Sequence, residues 1–135
     1  MAVISLNKKA RFDYEILETF QAGLSLSGYM VKQIRQKKVH ALGLFVVWQN
    51  NQLEIIHVGT EAHRENVPLL LKEREVNKIR EQIRIQGISC VVLNFKTVGR
   101  WLKAEVAIVK GKNKSDKRRT LKEKAITRDM AREGL

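Results

Sequence analysis

The chain has 135 residues, 44% of them hydrophobic, which is enough to bury one core and excludes wholesale disorder. Its 26 Lys and Arg against 14 Asp and Glu leave a formal net charge of +12. An excess that large favours a polyanionic partner, nucleic acid first and an acidic membrane surface second, beside the plainer reading of a basic surface serving solubility.

Taken in chain order, residues Asn7 to Asp13 mix three cations with Ala10 and Phe12 and read as a short basic helix or turn. Tyr14 to Leu26 alternates loosely and reads as two strand segments broken near Gly23, where a bulge or bend would help close a barrel. Tyr29 to Lys37, opened by Gly28, places Val31 and Ile34 three apart on one face and predicts a short helix with a cationic outer side. Val39 to Trp48 is a strongly apolar strand, Asn50-Asn51 supplies turn chemistry, and Leu53 to Val58 is the hairpin partner. Gly59 to Val67 reads as a polar loop ended by Pro68, the chain's one proline, and Leu69 to Gln86 as a helix stopped by Gly87. Ile88 to Phe95 and Trp101 to Val109 form a second hairpin across Thr97–Arg100.

This count of short strands with inserted helices predicts a mainly β fold, a small closed β-barrel over residues 1–111. An open α+β sandwich shares the pattern, and periodicity alone does not separate the two.

From residue 112 the polymer changes character: nine Lys and Arg stand against four acids, with few apolar residues to hold the segment on a core. Residues 112–135 are therefore expected to form a basic tail that is disordered when free. Thr120-Leu121-Lys122-Glu123 is a capping box, and good helix formers follow it. A dozen or so residues is marginal for an isolated helix, so ordering on a polyanionic surface is the expected route to helix. A solvated tail with only non-specific affinity is the simpler reading.

No constellation for catalysis emerges. Cys90 lies in an apolar run, excludes an intrachain disulfide by being alone, and suits a buried inert thiol. His40, His57 and His63 lack partners at metal-ligand spacing, so no metal or other cofactor is expected. Gly111-Lys112 with Ser115 lacks the upstream glycine of a phosphate loop. Trp48 fits core packing, whereas Trp101, beside Arg100 and Lys103, fits either rim burial or a stacking face for a base. The first nine residues are too short and polar for a secretion signal, and the apolar stretch 41–48 is far short of a membrane span. A cytoplasmic location without a membrane partner is the expectation.

Three groups of residues carry a resemblance that spans nearly the whole chain. The first is Asn7-Lys8-Lys9-Ala10-Arg11-Phe12-Asp13-Tyr14-Glu15-Ile16 with Phe20-Gln21-Ala22-Gly23-Leu24 and Ser27-Gly28-Tyr29-Met30-Val31-Lys32. The second is Leu69-Leu70-Leu71-Lys72-Glu73-Arg74-Glu75. The third is Lys110-Gly111-Lys112 followed by Asp116-Lys117-Arg118 and Lys122-Glu123. Collinear and together, they resemble the SmpB (small protein B, SsrA-binding protein) family.

The resemblance implies an oligonucleotide-binding-type barrel that binds the tRNA-like domain of transfer-messenger RNA and enters stalled ribosomes with it. There the protein would stand in for an anticodon arm, its tail becoming helical in the empty messenger channel, and tagging of the stalled peptide would follow. By position, it implies RNA contacts at Asn7, Lys8, Arg11, Tyr14, Gln21, Ala22, Gly23, Leu70 and Lys103. It implies that Lys110, Lys112, Asp116, Lys117, Arg118 and Lys122 serve the decoding centre and channel, in a monomer bound to RNA.

Several positions depart from the family's usual pattern. Gln21 and Met30 replace acids, Ser115 replaces a ring able to stack, and the 59–67 loop is short and lacks the family's Asp-Pro and Arg-x-Arg-Lys elements. A general structured-RNA or ribosome-bound RNA chaperone, and an enzyme acting on RNA ends, are the rival functions.

Overall fold

A computed structural model describes residues 2–111; the expectations for the tail fall outside the described residues. Seven strands and three helices follow in the order β1 (Ala2–Leu6), α1 (Ala10–Asp13), β2 (Tyr14–Leu24), α2 (Gly28–Arg35), β3 (Phe45–Gln49), β4 (Gln52–Gly59), β5 (Arg64–Leu70), α3 (Glu73–Gln82), β6 (Ile88–Val98) and β7 (Trp101–Gly111).

All pairings are antiparallel, and β6–β3–β4–β5–β2–β7 closes back onto β6 as a ring of six strands. The outer edge of β6 is shared: β3 takes Cys90 and Val91, and β1 takes the stretch from Asn94 to Thr97. The ring thus agrees with the mainly β, closed architecture expected from the sequence rather than with an open sandwich.

Turn chemistry sets the two tight hairpins. Asn50 and Asn51 both adopt left-handed φ, 54° and 57°, the two-residue turn whose twist matches the flanking strands. Gly99, at φ 62°, and Arg100 link Val98 to Trp101 in the same economical way.

The main core fills the ring with Val46, Leu53, Ile55, Val58, Val92, Phe95, Val106 and Ile108 among others. Met30 and Ile34, one helical turn apart on α2, are fully buried in it. Each such burial contributes roughly 1.5–3 kcal/mol. Ser27 starts that helix, its hydroxyl accepting the Met30 N–H at 3.1 Å. The long strands β6 and β7 are buried on both faces, because Val91, Leu93, Ala107 and Val109 pack outward beneath Ala10, Tyr14 and Ile16. That explains why these strands read as continuous apolar runs rather than alternating ones.

Three stretches depart from the sequence-based expectations, and one strand was not foreseen. The region Tyr14 to Leu26 is one strand ending at Leu24, and its bulge lies between Ile16 and Glu18, not at Gly23. The apolar run from Val39 becomes strand only at Phe45; Val39 and Ala41 are buried from a loop, with the Ala41 N–H held by the Ser5 hydroxyl at 2.9 Å. The polar segment before Pro68 contains β5, in which Val67 and Leu69 point to the core, so α3 begins at Glu73 rather than Leu69. Pro68 is tolerated there because its carbonyl faces β2, accepting the Ser25 N–H at 3.0 Å. Its missing N–H falls on that same side, where only two residue pairs join the strands. Finally, Ala2–Leu6 forms β1, a strand whose signal exists only once β6 offers an edge.

Candidate nucleic-acid interface

The outer surface where β2, β5 and β7 meet is built by the closure of the ring. Gly23 pairs with Lys103 on one side and with Leu70 on the other. A side chain there would be crowded: an ideal Cβ would lie 3.2 Å from the Leu70 Cβ. Glycine therefore lets β5 come close enough to close the seam.

Beside this seam lies a cleft of about 540 Å³ lined by Gln21, Gly23, Leu69, Leu70, Leu71, Lys72, Glu75 and Lys103. Leu70 stands 60% exposed, an apolar face presented to solvent next to the amide of Gln21 and the ammonium of Lys103. Glu75 is occupied in the fold, its carboxylate accepting the Lys72 N–H at 3.2 Å to start α3. The cleft offers an amide for base or ribose edges, a cation for phosphate and an apolar shelf, which is the chemistry of RNA contact rather than of bond breaking.

Four of the residues expected at the interface, Gln21, Gly23, Leu70 and Lys103, are thus brought together. Asn7 and Tyr14 lie elsewhere, in a smaller recess of about 80 Å³ with Lys9, Ala10 and the 42–45 segment. Asn7 is itself buried: its N–H donates to the Leu93 carbonyl at 2.8 Å and its Nδ2 to the Val92 carbonyl at 3.1 Å. It pins the start of α1 to β6, and its Oδ1 has no partner among the described residues. Lys8 and Arg11 are exposed on this side. Tyr14 and Gly23 are nine positions apart on β2, so the two regions are separated by at most roughly 30 Å of strand.

Ala22 is fully buried, main chain included, with its side chain in the core, so that position presents no surface to a partner and supports the seam from within. Lys110 is exposed near the end of β7. Lys112, Asp116, Lys117, Arg118 and Lys122 lie outside the described residues.

Sequence reasoning missed Leu69, Leu71, Lys72 and Glu75 as lining residues, because it placed the leucines on a helix; alternation from Val67 to Leu69 was the available signal. Lys96 stands behind the cleft and does not line it. It is buried on the outer face opposite Lys103, 3.6 Å from the Glu105 carboxylate.

Electrostatics fit a polyanion. Residues 1–111 carry seventeen Lys and Arg against ten acids. Burial pushes the Cys90 thiol up to about 12, which leaves no thiolate for chemistry at neutral pH. Among the described residues no group of His, Cys, Asp or Glu is arranged to hold a metal ion. No described helix is long and apolar enough to cross a membrane.

A closed strand ring with a polar, cationic cleft at its seam defines a class of nucleic-acid-binding scaffold. The family model described as SmpB protein matches residues 4–134, and the chain belongs to that family. It is similar to the "SsrA-binding protein" of Wolbachia sp. subsp. Drosophila simulans (strain wRi), 40% identical, covering 98% of this chain and 96% of that one. The "SsrA-binding protein" of Mycoplasma mobile is 34% identical, with 96% of each chain covered. Among solved structures, the one described as "tmRNA-SmpB: a journey to the center of the bacterial ribosome" matches with a TM-score of 0.66 and 29% identity, over 89% of this chain and 95% of that one.

Proposed function

We propose that this chain is the protein partner of a transfer-messenger RNA in trans-translation. It binds the tRNA-like domain of that RNA and delivers it to stalled ribosomes, where the nascent peptide is tagged and the ribosome released. It performs no chemistry of its own. The observation that carries this reading is the family match over residues 4–134, joined to a seam cleft that gathers Gln21, Gly23, Leu70 and Lys103.

Within this reading residues 1–111 form the RNA-binding body, and residues 112–135 form a basic segment that acts on the small-subunit decoding centre and messenger channel. Lys110, Lys112, Asp116, Lys117, Arg118 and Lys122 serve that step. A cationic segment gains most where a groove of ribosomal phosphates lies unoccupied by messenger. The protein works in the cytoplasm, as a monomer on its RNA. Gln21, neutral where the family favours an acid, keeps hydrogen bonding and removes a charge from the cleft.

Deleting Lys112–Leu135 tests the division of labour. Binding to the tRNA-like RNA should persist while tagging on stalled ribosomes is lost. Tagging by the truncated chain would overturn the role of the segment. Equal affinity of the full chain for ordinary tRNA and ribosomal RNA fragments at matched salt would overturn the specific reading in favour of a general RNA chaperone.

A further inference from the structure

The two tryptophans sit in opposite situations. Trp48 is half-buried against the core, and the Arg80 guanidinium lies 4.3 Å above its ring. Trp101, at the tip of the β6–β7 hairpin, is 69% exposed, the barest large apolar side chain of the described residues. No ring or cation of the described residues stacks on it. An indole left in water adds almost nothing to folding.

The tip is held rather than loose. The Arg35 Nη2 donates to the Arg100 carbonyl at 2.7 Å, tying the two-residue turn to the last turn of α2. Only one of that guanidinium's five donors is used in the bond. Lys32 lies three residues before Arg35, on the same exposed helix face.

The two segments that meet at the tip carry charge of one sign; the acids nearest in the fold are engaged elsewhere, Glu65 by the Ser27 hydroxyl at the far end of α2 and Glu105 by Lys96. Residues 19–53, which include α2, and residues 82–104, which include the hairpin tip, contain no Asp or Glu at all. Trp101 is also two positions before Lys103 on β7, so both project from the same side of the strand. The indole therefore extends the face of the seam cleft by about 7 Å toward the cations of α2.

We propose that Trp101 is a stacking platform for an unpaired RNA base, with Lys32, Arg35 and Arg100 taking the flanking phosphates. The inference rests on the RNA-binding reading above and adds a site to it. Indole faces accept any base, and neighbouring cations hold the backbone on either side of the stacked nucleotide. The base belongs either to the tRNA-like RNA or to ribosomal RNA.

The test separates these sources. The Trp48→Phe chain, in which Trp101 is the one remaining indole, is titrated first with the tRNA-like domain of a transfer-messenger RNA and then with messenger-free ribosomes. Quenching of indole emission, with loss of iodide access, is expected in one arm, and that arm identifies the source of the base. In the otherwise native chain Trp101→Ala should weaken binding in the same arm roughly five- to hundredfold. Trp101→Phe should stay near native, and Trp101→Leu should lose as much as alanine. Binding with unchanged iodide access in both arms, or a leucine variant equal to the native chain, overturns the stacking site and leaves the RNA-binding reading intact. No binding of the native chain in either arm overturns that reading, and the stacking site with it.

Discussion

The seam between β2 and β5 is held by two residue pairs, as few as at β3–β6 and against nine for β2–β7 and ten for β6–β7, and Gly23 lies in one of them. Replacing Gly23 by alanine puts a Cβ 3.2 Å from the Leu70 Cβ, short of the ordinary carbon–carbon separation by roughly 0.3–0.8 Å. Leu70 ends its strand with its side chain largely in solvent, so it can give by that amount. Alanine also restricts the unfolded chain, worth about 0.4–1 kcal/mol. The two effects offset, and Gly23→Ala should stay within about 1 kcal/mol of the native chain.

Valine is a different perturbation. Its two methyls enter the space where the Leu70 Cδ1 and carbonyl oxygen already lie 3.6 Å from the Cβ position. The carbonyl belongs to the strand backbone and does not rotate away. Overpacking of this kind costs about 1–3 kcal/mol. Part of the strain should appear as parting of the seam, which moves Leu70 away from Lys103 and flattens the cleft. Urea unfolding and anisotropy binding to the tRNA-like RNA read the two consequences. Gly23→Val should lower the unfolding midpoint and weaken RNA binding together, while Gly23→Ala does neither appreciably. A valine variant with native midpoint and native affinity would refute the reasoning that glycine sets the approach of β5 to β2.

Three further outcomes follow from local geometry. Gly59, at φ 146° with the His63 carbonyl oxygen only 2.1 Å from an ideal Cβ, has no room for a side chain; Gly59→Ala should cost about 1–3 kcal/mol in thermal or urea unfolding. Cys90 should react with a disulfide reagent at pH 8 only after unfolding, because burial holds its thiol protonated, and rapid labelling of the folded chain would contradict that. Glu65 has its carboxyl held below the ordinary value of 4.5, first by the hydrogen bond from His63 and then by that from the Ser27 hydroxyl at 2.7 Å. A depressed carboxylate contributes stability above its unfolded value and loses it as pH falls through the folded one. The native chain should therefore lose stability below about pH 4.5 more steeply than Glu65→Gln, as read by urea midpoints at pH 6, 4 and 3.

Legibility followed the range of the interaction. The Asn50-Asn51 hairpin, the β6–β7 hairpin and α2 were readable because turn conformation and helical periodicity act over a few residues. Burial of Cys90 followed from the apolar run around it. The β5 strand was misread because Pro68 and its polar neighbours carry the local signature of a loop, and only pairing with β4 overrides it. Resemblance named Gln21, Gly23, Leu70 and Lys103 one by one, but nothing local places Leu70 beside Gly23, forty-seven positions earlier in the chain.

By itself, then, the sequence determined the charge, the mainly β class, the tight turns, the absence of a catalytic constellation and membership of the family, since each is written in composition, spacing or short motifs. Tertiary structure alone decided that a seven-stranded sheet closes through a two-pair seam and that Ala22 turns inward while Leu70 turns outward. It also decided which tryptophan is covered and which is bare. Those choices depend on where distant strands find their partners, and chain closure over tens of residues leaves no imprint on any one segment.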